Sequence, residues 1–80
     1  MECKLSDLTE SAAARVRYLV HRGPMRRRLQ DLGFVPGAEV RFMYSGFRGG
    51  IRAYAVGGSV IALRRRDADQ IIVSMEKSPE

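Results

Sequence analysis

The chain has few of the features that mark small secreted or membrane proteins, which are disulfides, long apolar segments and a signal peptide. Its 80 residues include no tryptophan and one cysteine, Cys3, which cannot form an internal disulfide. A domain of this size must then be held by a thin core alone, which suits a reducing cytosol. No apolar run approaches the roughly 18 residues that span a bilayer. Glu2 and Asp7 stand where a signal peptide would need a basic region and an apolar stretch. We therefore expect a soluble, cytoplasmic protein.

Residues for catalysis or metal binding are equally scarce. A catalytic site needs a nucleophile beside a base, or paired carboxylates, in one pocket. The only histidine, His21, follows a predicted strand beside Arg22, where we expect a solvated loop side chain. Cys3, His21 and the scattered carboxylates show no Cys-x-x-Cys or His-x-x-His spacing. The glycine-rich segments lack the Gly-Lys-Ser/Thr ending of a phosphate loop. We predict no enzyme, no catalytic residue, no metal ligand and no cofactor.

Positive charge is concentrated in the middle of the chain. Residues 11–66 hold all twelve arginines and only two acidic residues, Asp31 and Glu39. This distribution favours an anionic partner, which could be nucleic acid, lipid headgroups or an acidic protein surface. The alternative is that a small domain uses arginine as its solubilising charge.

A short helix is predicted from about Pro24 to Leu32. Gly23 suits the N-cap, and proline is favoured at the first helical position. Met25, Leu29 and Leu32 follow the spacing i, i+4, i+7, which is one face of a helix. We expect all three side chains to face inward, so that the helix closes one end of the fold.

Glycine and proline mark the turns that follow. Gly33 is placed to end the helix in the left-handed conformation. Pro36 and Gly37 fit the central positions of a type II turn, and a strand should begin near Glu39. Gly57-Gly58 is typical of a two-residue hairpin.

Alternating apolar residues predict about five short strands. In the first, Ala14, Val16, Tyr18 and Val20 lie on one side, which predicts one buried face. Leu5 and Leu8 should anchor a short lead-in, and residues 65–70 allow a single helical turn. The predicted strands cover residues 13–20, 40–44, 51–56, 59–63 and 71–73. We therefore predict a mainly β fold with one short helix, a small and strongly bent antiparallel barrel.

Several segments together resemble the FeoA family of ferrous iron transport proteins. They are the lead-in 5–8, the helix-and-turn unit from Arg26 to Gly37, Val56 to Arg64, and Ala68 with Ile71 to Val73. The resemblance implies an SH3-like barrel as a single domain over residues 1–75, with 76–80 as a polar tail. It also implies a cytosolic accessory protein that docks the FeoB-type transporter, a membrane protein with a cytoplasmic GTPase domain, and modulates iron uptake. Contact with the membrane would then be indirect, through the transporter.

Candidate partner-binding residues lie in two places. Arg26 and Arg27 should project outward from the helix. Phe47 and Arg48 lie in a glycine-rich loop, where an exposed aromatic beside arginine is a common interface anchor. The alternatives are a solvated helix face, and Phe47 packing back onto the mouth of the barrel.

Two other functions and a question of assembly stay open. A small basic barrel could bind nucleic acid, but Tyr18, Tyr44 and Tyr54 suggest core and hairpin packing rather than a stacking platform, so no nucleic acid is expected. A similar barrel forms the C-terminal domain of iron- and manganese-dependent repressors, which would make this chain a metal-responsive domain. No DNA-binding helix pair precedes the predicted barrel, and this favours the transporter accessory. A homodimer through residual sheet edges is compatible with either function.

Overall fold

The computed structural model describes residues 2–9, 12–46, 48 and 50–75. Six strands make up nearly half of these residues, with two α-helices and a 3-10 helix, Leu5–Asp7, between them. The strands are β1 (Glu2–Lys4), β2 (Ala13–Leu19), β3 (Glu39–Ser45), β4 (Ile51–Val56), β5 (Ser59–Arg64) and β6 (Ile71–Met75). The α-helices are α1 (Gly23–Asp31) and α2 (Arg65–Ala68). The predicted tail, residues 76–80, lies outside the described residues.

All strand pairs are antiparallel, in one sheet with the order β1-β6-β2-β3-β4-β5. This confirms the predicted mainly β fold with one short helix preceding the central hairpins. The strand β1 was not predicted, because three residues are too few to show a period of two. The last strand, β6, crosses back to lie between β1 and β2, so the first and last strands of the described residues pair with each other.

The core is one cluster of apolar side chains in the bend of the sheet. Leu5 and Leu8 are almost fully buried, so the predicted anchoring of the lead-in is confirmed. The largest fully buried side chains are Tyr54, Phe34, Leu5, Leu8, Leu29, Ile71, Val16, Val40 and Val73.

The predicted buried face of β2 is correct in its first half and wrong in its second. Ala14 and Val16 are buried as expected, but Tyr18 is 49% exposed and Leu19 is buried in its place. A register irregularity between Val16 and Tyr18 in the pairing with β6 explains the change. A β-bulge adds one residue on one strand, which moves the following side chains to the opposite face.

The predicted inward face of α1 is also wrong for two of its three residues. Leu29 is 1% exposed, whereas Met25 is 41% and Leu32 is 37% exposed. The end of the helix supplies the reason. The N–H of Gly33 donates to the carbonyl of Gln30, and the N–H of Phe34 donates to that of Leu29. These are the two bonds of a Schellman motif, and this motif commonly pairs the residue after the glycine with the one five positions earlier. Phe34, fully buried in the same cluster as Leu29, therefore fills the place expected for Leu32.

The turns follow the sequence closely. Gly33, Gly37, Gly57 and Gly58 all have positive φ, at 113°, 89°, 59° and 83°. The N–H of Ala38 donates to the carbonyl of Val35 over 3.0 Å, which closes the turn at Pro36-Gly37. These glycines direct α1 and the β4–β5 hairpin into adjacent positions, where they form the surface described next.

Candidate interaction surface

The helix α1 and the sheet-edge strand β5 form the two sides of an open groove of about 300 Å³. Leu29 and Leu63 are buried at its base, and the half-exposed Met25 and Leu32 form an apolar wall on α1. The groove is lined by Met25, Arg28, Leu29, Leu32, Ala62, Leu63, Arg64 and Asp67.

Each of the two arginine triplets contributes one side chain to this groove. Arg28, from the triplet on α1, and Arg64, from the triplet at the end of β5, are both exposed and both line it. The N–H of Arg65 donates to the carbonyl of Gly50, so the glycine-rich loop ends beside the second triplet. Tertiary structure thus joins two basic segments that lie 36 positions apart in the chain into one positively charged surface.

The predicted partner-binding residues that the structure describes, Arg26, Arg27 and Arg48, do not line this groove. Arg27 is exposed at the start of α1, next to Gly23 and Pro24. Arg26 is exposed too, and one of its guanidinium nitrogens donates to the carbonyl of Leu19 over 3.4 Å, which links α1 to β2. Arg48 is exposed with a φ of 63°. Phe47 lies outside the described residues.

His21 is buried, contrary to the expectation of a solvated loop residue. It is 5% exposed, and neither ring nitrogen has a hydrogen-bond partner among the described residues. Its Nε2 lies 3.9 Å from a carboxylate oxygen of Asp67. Burial lowers the pKa of His21, and Asp67 opposes that shift in part. His21 follows β2 by two residues and is buried beside Asp67 of α2.

The side chain that the structure places beside His21 is the carboxylate of Asp67. In the described part of the chain, no three His, Cys, Asp or Glu side chains cluster closely enough to hold a metal ion.

The sequence analysis missed a buried arginine under the sheet. Arg52 is 9% exposed, and it donates from Nη2 to the carbonyl of Leu8 over 2.6 Å and from Nε to the hydroxyl of Tyr54 over 2.9 Å. Its guanidinium carbon lies 4.2 Å from the centre of the Phe42 ring. A signal was present, because Arg52 has the same parity along β4 as Tyr54 and Val56, which both face the core.

The three tyrosines were predicted to pack in the core and against the hairpins, and only one of them is buried. Tyr54 is fully buried, and its burial raises the pKa of its hydroxyl. Tyr18 and Tyr44 are exposed instead. Because β2 and β3 pair only around Ala13 and Arg41, these two exposed rings extend beyond opposite ends of the pairing. They do not form the adjacent aromatic pair on which nucleic-acid bases would stack.

The antiparallel sheet and its short helix define a small SH3-like domain. The family model described as FeoA domain matches residues 3–75, and the chain belongs to the FeoA family. Neither helix within the described ranges is long and apolar enough to cross a membrane.

Solved structures agree with this family. The chain is 31% identical to the FeoA protein from Chlorobium tepidum, with a TM-score of 0.88 over 96% of this chain and 73% of that one. It is 35% identical to iron(II) transport protein A from Clostridium thermocellum, with a TM-score of 0.85 over 90% and 44%. It is 36% identical to Stenotrophomonas maltophilia FeoA, solved with zinc, with a TM-score of 0.78 over 92% and 95%.

More distant structures share the fold alone. A manganese-dependent transcriptional repressor is 17% identical, with a TM-score of 0.81 over 94% of this chain and 42% of that one. Among curated proteins, none matches the chain significantly.

Proposed function

We propose that this protein is a cytosolic accessory protein of ferrous iron transport, which docks the cytoplasmic part of a FeoB-type transporter and modulates iron uptake. The match of the FeoA domain over residues 3–75 is the observation that carries the proposal. Relatives above 30% identity support it, one of them named as an iron(II) transport protein.

The proposed action is binding, with no reaction of its own. The described residues offer a positively charged, partly apolar groove, and exposed arginines beside apolar side chains are typical of protein interfaces. Arg26 and Arg27 on α1 and Arg48 before β4 are exposed but do not line this groove, and we propose that they extend the contact with the transporter beyond it. Phe47 is proposed as the aromatic anchor of the same interface.

Deletion of the protein should reduce ferrous iron uptake by the cell, and uptake should return when the chain is supplied again. The purified protein should also bind the cytoplasmic part of the transporter from the same cell, in a titration followed by calorimetry. Normal uptake in the deletion strain would contradict the proposal.

A charge reversal on α1 tests the surface. Arg27→Glu should weaken binding to the transporter by about tenfold or more, because a contact turns into a repulsion. Lys4→Glu is the matched control, since it makes the same change of charge on β1, at the opposite edge of the sheet. Equal weakening by both substitutions would show a general effect of net charge and would remove Arg27 from the interface.

A further inference from the structure

The strand β5 has a free edge. It pairs with β4 on one side, and no described strand pairs with the other. An unpaired edge presents backbone donors and acceptors that can accept another strand. Proteins often cover such an edge with a helix, but here an open groove separates α1 from β5.

The register of the hairpin shows which backbone groups lie on that edge. Val56 and Ser59 are opposite each other across the two-residue turn and form its hydrogen-bonded pair. Hydrogen-bonded and non-hydrogen-bonded residue pairs then alternate along the two strands. The N–H of Arg65 donates to the carbonyl of Gly50, as this alternation requires for the next pair. The N–H and C=O groups of Val60 and Ala62 therefore point away from β4, towards the free edge. Outside the strand ladders, neither residue takes part in a backbone hydrogen bond within the described ranges.

The groove beside this edge is suited to the side chains of an added strand. Strands in a sheet lie about 4.8 Å apart, and successive side chains point to opposite faces. Every second side chain of a strand on β5 would thus face α1, where Met25 and Leu32 are incompletely covered. Other peptide-binding domains also accept a strand at a sheet edge. In these domains the backbone hydrogen bonds provide affinity, and pockets for alternate side chains provide selectivity.

The charge of the surroundings indicates an acidic occupant. Arg28 and Arg64 line the groove, and Arg65 and Arg66 follow at the end of β5. Asp67 is the single carboxylate among the lining residues, and it lies next to the buried His21. A second copy of β5 would bring another run of three arginines to this surface, so charge disfavours self-pairing.

The other edge of the sheet is a poorer template. The strand β1 has three residues, and its Glu2 forms an ion pair with Arg17 over 3.2 Å. Short edge strands with charged side chains are a common protection against unwanted pairing. The six-residue β5 has no comparable protection on its outer face, where Val60 is 54% exposed.

We propose that β5 and α1 accept an extended acidic segment of a partner protein, which adds to the sheet as a strand along Val60 and Ala62. Apolar side chains of this segment would face Met25 and Leu32 in the groove. The alternate, acidic side chains would lie on the other face, beside Arg64, which has the same parity along β5 as the exposed Val60. The inference rests on the proposed function in that it takes the docked molecule to be a protein, and it names the kind of segment that docks.

Synthetic peptides test the backbone bonds on the unmodified protein. The probe is a fluorescein-labelled heptapeptide that alternates glutamate with valine or leucine. Two further versions carry N-methyl groups on the backbone nitrogens, one at the odd and one at the even positions of the peptide. Only one of these two sets of N–H groups can face β5. We therefore expect one methylated version to bind at least tenfold more weakly, while the other keeps most of the affinity. Equal affinity of the two methylated peptides, or no binding of the parent peptide at millimolar concentration, would overturn the proposal.

A proline at the edge tests the same bonds from the protein side. Ala62→Pro removes an N–H that points away from β4, so the β4–β5 pairing should survive and binding should fall at least tenfold. Ala62→Val is the matched control, because it changes the side chain and keeps the N–H. Circular dichroism tests whether both variants are folded. If the proline variant is unfolded, the comparison of the two methylated peptides decides whether the edge accepts a strand.

Binding to the transporter separates this inference from the proposed function. If the transporter binds Ala62→Pro as well as the wild type, docking stands and the strand-accepting edge is refuted. If the transporter binds neither protein while the peptides show the unequal loss, the edge stands and the proposed function fails. A dimer that Ala62→Pro abolishes, seen by analytical ultracentrifugation without peptide, would assign the edge to a second copy and overturn the acidic partner.

Discussion

Replacement of Arg52 by methionine should strongly destabilise this domain. The guanidinium group connects three parts of the fold, because it donates to the carbonyl of Leu8, donates to the hydroxyl of Tyr54, and lies over the ring of Phe42. Leu8 directly follows the 3-10 helix, so Arg52 holds the N-terminal segment against β4. Methionine keeps much of the apolar stem and removes all three interactions.

The size of the effect follows from these contacts. A hydrogen bond from a charged donor contributes about 1.5–3 kcal/mol, and losing it leaves the carbonyl of Leu8 without this partner. The cation–π contact adds about 1–2 kcal/mol. Relief from burying a cation offsets part of this loss. We expect the free energy of unfolding to fall by about 2–4 kcal/mol, from a total of roughly 4–12 kcal/mol for 80 residues.

Urea denaturation and thermal unfolding measure this directly. A loss of about 3 kcal/mol in a domain of this size lowers Tm by on the order of 10–20 °C. Arg41→Met is the control, because Arg41 is half exposed beside Glu39 and such a surface ion pair contributes about 1 kcal/mol or less. If Arg52→Met lies within about 1 kcal/mol of the wild type, the buried arginine does not hold the N-terminal segment as described.

Three other tests, two of them with a control substitution, examine the remaining features of the fold. Because burial lowers the pKa of His21 from 6.5, the unfolded chain takes up a proton first as the pH falls. The free energy of unfolding should therefore keep its full value well above pH 6.5 and decline as the pH falls below it, and His21→Leu should flatten this decline in urea titrations. An unchanged slope in that variant would assign the pH dependence to other groups. Leu29→Ala should cost about 2–5 kcal/mol in thermal unfolding and Met25→Ala less than about 1 kcal/mol, and similar costs would contradict the observed burial of α1. Gly33→Ala should cost about 1–2 kcal/mol because of its left-handed backbone, whereas Gly50→Ala, without that backbone, should be nearly neutral by the same measurement.

Turns and strand boundaries were predictable because their causes are local. A positive φ is accessible to glycine at little cost, so Gly33, Gly37 and the Gly57-Gly58 pair identified their turns without knowledge of the fold. The apolar segments on either side of Gly57-Gly58 then predicted β4 and β5 to within a residue. The resemblance carried by these segments led to the family that the FeoA domain match confirms.

Burial was less predictable, because it depends on what a side chain meets across the fold. One extra residue in β2 exchanged Tyr18 for Leu19, and no local pattern announces such a bulge. Phe34 replaced Leu32 in the core because the end of α1 turned it inward. His21 was predicted to be solvated because it follows a strand beside Arg22, but the fold buries it next to Asp67 of α2.

The order of turns and strands, the abundance of arginine and the family were thus determined by the sequence alone, since each depends on the intrinsic preferences or on the identity of consecutive residues. Only the tertiary structure decided that Arg28 and Arg64 line one groove, that Arg52 lies under the sheet, and that β5 is left as an edge. These are pairings between distant segments, and their geometry is set by closure of the whole sheet around one small core.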